Sequence, residues 1–278
     1  MVNSRAIRAI AVKDMKAVFA NIQVWLPMLI LPLVLGVVLP AGLLLALRLY
    51  GAGSIHNLGS LLAVLDRVPP SELTRALGSL PSVSQRLAYL MVNYVFAPFF
   101  LLIPLMTSSV ISADSFAGEK ERGTLESLLL APVDLTSLLL GKVLAAFLPS
   151  MGLSLVTFVL YGLATSVAGW PLFGRPFFPQ PNWVPLMLLV IPTLSLGTIL
   201  LNVFISARVS SFQAAYQLGG VIVLPVMALL FGQLAGALLL DTAVLVGMGA
   251  VLALLDFLVM QQILRRLDRS RLFESQVR

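Results

Sequence analysis

Six stretches of this chain run long without charge. Residues 17–47, 87–113, 143–174, 176–207 and 209–240 contain no Asp, Glu, Lys or Arg, and 242–264 contains only Asp256. A helix needs ~20 apolar residues to cross the hydrocarbon layer, so each run holds one span and none comfortably holds two. Turn residues and aromatic edges trim the spans to 25–47, 89–111, 143–165, 184–205, 213–238 and 243–264. Nothing alternates with period two over ten-residue segments, as the strands of a membrane barrel do. The expected fold is an all-α integral membrane protein with six transmembrane helices. Residues 1–278 read as one domain, without an internal repeat or a low-complexity linker.

Composition excludes the other classes. Hydrophobic residues make up 59% of the 278 and charged residues 11%, against ~45–50% and ~25% in soluble domains. Neither a soluble enzyme nor a disordered chain fits. The chain has no Cys and a single His, His56, so thiolate chemistry, disulfides and a His-based metal cluster are excluded and no metal is expected. Arg5, Arg8, Lys13, Asp14 and Lys16 precede an apolar run too long for the core of a cleavable signal.

The net charge of +6 would point to nucleic acid in a soluble protein. In a membrane protein it is read by position, and no nucleic-acid partner is expected. With the N-terminus inside, the inner segments carry Arg5, Arg8, Lys13, Lys16, Lys120, Arg122, Lys142, Arg208, Arg265, Arg266, Arg269, Arg271 and Arg278. The outer ones carry Arg48, Arg67, Arg75, Arg86 and Arg175. That bias places both termini in the cytoplasm and the chain in the inner or plasma membrane.

Segments outside the spans have their own patterns. In 1–24, Ile7, Ile10, Ala11, Met15, Val18, Phe19 and Ile22 recur at helical spacing beside the cations, which describes an amphipathic helix in the inner interface, broken from the first span near Pro27. The outer loop 48–88 has room for a short helix after Pro69-Pro70, capped by Ser71 with Glu72 in its first turn. The aromatic loop 166–183 suits headgroup depth.

The inner segment 114–142 carries the most information. Glu119, Lys120, Glu121 and Arg122 end at Gly123, which suits a helix C-terminal cap. Thr124 suits the N-cap of a new helix with Glu126 in its first turn, Pro132 limits that helix to about two turns, and Asp134 suits the cap of the third span. Leu125, Leu128 and Leu129 then supply an apolar face, while the mixed charges stay exposed as a docking surface. The other reading is a solvated loop that obeys the charge bias.

The run from Glu121 to Glu126, with Leu128-Leu129, Pro132 and Gly141-Lys142, resembles the loop between the second and third spans of type-2 ATP-binding cassette (ABC) exporter permeases. Lys13-Asp14 with Asn21 resembles that family's N-terminal interfacial helix. Ser206-Ala207-Arg208, Gln213-Ala214, Gln217-Leu218-Gly219-Gly220 and Pro225 resemble its fourth-to-fifth connection. The resemblance implies a permease that pairs with a second permease chain, identical or paralogous, and docks two cytoplasmic ATPase subunits. It makes 115–131 the site of the main coupling helix and 206–212 a minor contact. The docking set is Glu119, Lys120, Glu121, Arg122, Gly123, Thr124, Leu125, Glu126 and Arg208. The chain itself is not expected to be an enzyme or to hold a cofactor. Its only Gly-Lys pair, Gly141-Lys142, has Thr136 and Val143 where a phosphate-binding loop needs Gly and Ser or Thr. ATP and Mg would belong to the partners.

Polar residues at membrane depth complete the reading. Asp256 lies ~12 Å from the inner helix end, as a proton, cation or substrate contact or as a protonated or hydrogen-bonded packing group. An ion-coupled secondary carrier using Asp256 is one rival function. Others are a membrane-embedded enzyme and a non-transporting scaffold for an ATPase. Asn93, Asn202 and Gln217 are pathway residues or interhelical hydrogen-bonding ones. Tyr94, Phe96, Phe99 and Phe100 line a pathway, face lipid or pack the core.

Overall fold

The computed structural model describes residues 3–20, 22–52, 72–124, 133–209, 211–235 and 240–266. Every regular element among them is helical. In chain order these are α1 (Ser4–Ala20), α2 (Met28–Tyr50), a short α3 (Glu72–Gly78), α4 (Val83–Glu121), α5 (Leu135–Phe173), α6 (Trp183–Ser206), α7 (Phe212–Gln233) and α8 (Thr242–Leu264). α2 and α4 to α8 are each long and apolar enough to cross a membrane. They lie over the six charge-free runs.

The helix ends follow from local chemistry. α4 starts before residue 89 because Ser82 and Gln85 form a reciprocal capping box: Gln85 N donates to Ser82 Oγ at 3.1 Å and Ser82 N to Gln85 Oε1 at 3.2 Å. Asp134 caps α5, accepting from Ser137 N at 3.0 Å and Ser137 Oγ at 2.8 Å. Those bonds hold its carboxyl below the usual carboxylate range. Gly174, in the left-handed conformation at φ 63°, ends α5. The expected cap at Ser71, residues Pro69 and Pro70, the end of the fifth run at 236–238 and the basic residues Arg269, Arg271 and Arg278 lie outside the described residues.

α4 contains two turns of π-helix, at Met91–Val95 and Asp114–Gly118. Such turns free carbonyls, and in lipid those carbonyls need donors from the protein itself. At the first turn, Asn93 O accepts from Asn182 Nδ2 at 2.9 Å and Trp183 Nε1 at 3.2 Å, and Val92 O accepts from the Tyr161 hydroxyl at 2.5 Å. Asn93 in turn donates its side-chain amide to Tyr89 O and Phe177 O at 3.1 and 3.3 Å. Its side chain is fully buried.

The same donors explain the aromatic loop. Phe177, Phe178 and Trp183 are buried against the protein. Trp183 stands 5.4 Å from Phe100 and 5.2 Å from Tyr161, centroid to centroid, and Phe178 stands 4.9 Å from Tyr161. Trp170 stays exposed. Phe100 and Tyr94 are buried core, and Phe96 and Phe99 are partly buried beside them. Of the three readings for these rings, core packing holds for Phe100 and Tyr94.

α1 packs part of its apolar face on the protein. Its face of Ile10, Ala11, Asp14 and Val18 is buried, and the helix packs on α5, while Phe19 and Ile22 are exposed. The close approach depends on Gly141, where a Cβ would lie 2.9 Å from the Ile10 side chain. The buried part of the face contains an acid, Asp14. The junction at Asn21 lies outside the described residues.

The bundle has two distinct ends. α1, the end of α4, the start of α5 and the α6–α7 connection meet at one, through contacts from Glu119 to Lys13 and Lys142 and from Glu121 to Phe212. At the other, the connection after α5 contacts α4, and Gln85 Nε2 donates to Leu172 O at 2.7 Å. In sealed vesicles, a single Cys replacing Arg175 is expected to react from the side opposite a single Cys replacing Gln213. Reaction of both from one side, with a membrane-impermeant maleimide, would overturn the six-span arrangement.

Candidate functional site: a buried charge cluster and the surface above it

The second π turn of α4 builds the site. Lys142, two turns into α5, is 1% exposed. Its ammonium donates to Glu119 Oε2 at 2.6 Å, to Ser115 Oγ at 3.2 Å and to the Ser115 carbonyl, and it lies 3.5 Å from Asp14 Oδ2. The Phe116 ring centroid is 5.2 Å away. Ser115 Oγ donates to Asp14 Oδ2 at 2.5 Å. Lys13, half-exposed, closes the group at 2.6 Å from Glu119 Oε1 and 3.4 Å from Asp14 Oδ1.

Two acids and two lysines balance, and each buried charge has a partner. Burial alone would lower the Lys13 ammonium, but the hydrogen bond and charge of Glu119, helped by Asp14, hold it above its ordinary value. A cluster of this kind is costly to break, because removing one member strands another in a dry setting. It ties three segments together: α1, the end of α4 and the start of α5.

A polar surface lies just beyond it. Arg122 pairs with Asp114 at 2.9 Å, and that hydrogen bond holds its guanidinium above its ordinary range. Glu121 Oε2 accepts from Phe212 N at 2.8 Å, so a carboxylate of α4 satisfies an open backbone donor at the start of α7. Gly123 has φ +67°, as its capping role requires. Thr124 Oγ1 donates to Glu119 O at 3.2 Å and thereby closes the helix before it.

The sequence-derived residues divide accordingly. Glu121, Arg122, Gly123, Thr124 and Arg208 are exposed at this end, and Lys120 is partly buried. Glu119 was expected on the exposed docking surface but is 5% exposed and turned inward to Lys142. The physical reason is the π turn at Asp114–Gly118, whose extra residue rotates the next turn of α4 about the helix axis. Leu125, Glu126, Leu128, Leu129 and Pro132 lie outside the described residues. Asn202 is buried and donates to Ser109 Oγ at 3.3 Å and Thr198 O at 3.1 Å, joining α6 to α4. Gln217 is exposed on α7. Asp256 is buried on α8, and its Oδ2 has no hydrogen-bond partner among the described residues. Asp14, Ser115 and Lys142 had no role of their own in the sequence reading. The available signal was an acid on the apolar face of α1 and a lysine at the edge of a charge-free run.

Six spanning helices and a charged cluster at one end agree with the comparison to known families. Residues 79–248 match the model of the ABC-2 family transporter protein. The chain belongs to that family and is a permease subunit of a type-2 ABC transporter, a multi-pass membrane protein. No curated protein and no solved structure matches it.

Replacing Lys142 with Met leaves Glu119 and Asp14 to share the half-exposed Lys13 and is expected to destabilise the folded protein by ~3–5 kcal/mol. Adding Glu119→Gln should return part of that loss. Thermal unfolding of the purified wild type, both single variants and the double variant measures the coupling. Strictly additive effects would show that the two side chains do not act as a pair.

Proposed function

We propose that this permease exports its substrate from the cytoplasm when separate ABC ATPase subunits, two per complex, dock on the end of the bundle that carries Glu121, Arg122 and Arg208. In this reading the end faces the cytoplasm, in keeping with the basic bias of its segments. A second permease chain completes the pathway, and ATP and Mg are held by the ATPases.

The observation that carries the proposal is the bond from Phe212 N to Glu121 Oε2. It fixes the end of α4 against the start of α7, which brings the exposed charges of Glu121 and Arg122 beside the α6–α7 connection. Beneath those charges, Glu119 and Lys142 link them to α1 and α5. A partner that grips the exposed charges therefore pulls on four helices together. The coupling segment implied by the family resemblance, 115–131, runs on through residues 125–131, which lie outside the described residues.

The test is co-purification of the ATPase subunit together with substrate-stimulated ATP hydrolysis. Arg208→Glu and Glu126→Lys are expected to weaken docking or to uncouple hydrolysis from transport, since losing one member of an interfacial charge pair costs ~2–5 kcal/mol. Arg122→Glu should do the same, and Asp114→Asn isolates the part due to its internal pair. Wild-type binding and coupling in all of the charge reversals would mean that this surface is an ordinary solvated face.

A further inference from the structure

A second feature lies within the membrane layer, apart from the charged end. α6, α7 and α8 enclose a cavity of about 890 Å³, with the buried Leu101 of α4 at its back. Its walls are almost wholly apolar. The hydroxyls of Thr193 and Thr198 are already committed, donating to Leu189 O at 2.8 Å and Leu194 O at 2.7 Å in their own helix. Among the described residues one ionisable group lines it, Asp256.

Asp256 is 7% exposed, and its Oδ2 has no hydrogen-bond partner among the described residues. Facing it is Gly197, where a Cβ would come within 2.8 Å of Asp256 Oδ1. The missing side chain keeps the carboxyl clear. Among the described residues, Lys, Arg and His are all absent from the lining, and none of them supplies a counter-charge. A carboxyl withdrawn from water in this way either holds a proton or takes a positive partner, and the cavity beside it leaves room for the partner.

We propose that this cavity binds a lipophilic cation, with the charge of the ligand at Asp256 and its apolar body against α6, α7 and α8. The volume falls within the ~300–1,000 Å³ range of small-molecule pockets, and their usual design is the same: apolar walls with very few placed polar groups. An apolar anion of equal size meets the wrong charge. A phospholipid brings a phosphate for which the lining holds no cation. Leu255, exposed at the rim, leaves an approach from the lipid side. The site does not depend on the docking reading, because binding requires no ATPase.

The experiment uses the full-length protein in nanodiscs of phosphatidylcholine, with equilibrium binding of tetraphenylphosphonium and, separately, of tetraphenylborate, which has nearly the same shape and the opposite charge. Wild type is expected to bind the phosphonium saturably and the borate only by partition into lipid. Asp256→Asn should weaken phosphonium binding at least about tenfold, the equivalent of ~1.4 kcal/mol. Asp256→Glu, which keeps the charge, should retain binding. Ala228→Trp, which fills the cavity from an exposed wall position and leaves the carboxyl in place, should also abolish it, so that the conclusion does not rest on one variant. Equal phosphonium affinity in wild type and Asp256→Asn, or saturable borate binding of similar strength, would overturn the proposal.

Discussion

A backbone carbonyl inside a lipid layer has no water to turn to, and each departure from regular α-helix must be answered by a donor from the protein. This constraint organises both ends of the molecule. At one π turn of α4 the donors are Asn182, Trp183 and Tyr161. At the other, the Ser115 carbonyl receives the ammonium of Lys142. The first arrangement gathers an aromatic core around Trp183. The second carries a full charge into the protein and draws Glu119, Asp14 and Lys13 around it. A neutral donor would have satisfied the carbonyl without them.

The fold was largely legible because charge-free runs of sufficient length have few alternatives in a membrane. Asp134 and Gly123 were legible for a similar reason, since caps are local and follow from one residue type at one position. The inward turn of Glu119 was not. A 3.6-residue period carries a side chain's direction along a helix only while the period holds, and the π turn at Asp114–Gly118 resets it. Four adjacent charges then looked like one exposed strip, although the first faces α5 and the next three face outward or lie part-way between.

Composition told less than the whole story in two places, for a shared reason. The aromatic residues of 166–183 and the apolar stripe of α1 both have the character of interfacial segments, and both contain surfaces that the protein uses internally. What decided each case was a specific complement elsewhere in the chain. Phe177 O accepts from the Asn93 side chain, and Trp183 Nε1 donates to the opened backbone of α4. Ile10 meets the bare backbone at Gly141, and Asp14 meets Ser115 and Lys142. No window of sequence around either segment contains those partners.

α4 and α5, at 39 residues each, are ~58 Å long and outreach the ~30 Å hydrocarbon layer by nearly a factor of two. They also touch near mid-depth, where Ser150 donates to the Pro104 carbonyl at 3.0 Å and receives Ser195 Oγ at 3.0 Å. Lys142 and Tyr161 bond α5 to α4 on either side of that point, so the two helices are tied at three levels. A load applied at the charged end is therefore shared by the pair along its length rather than taken up by one helix.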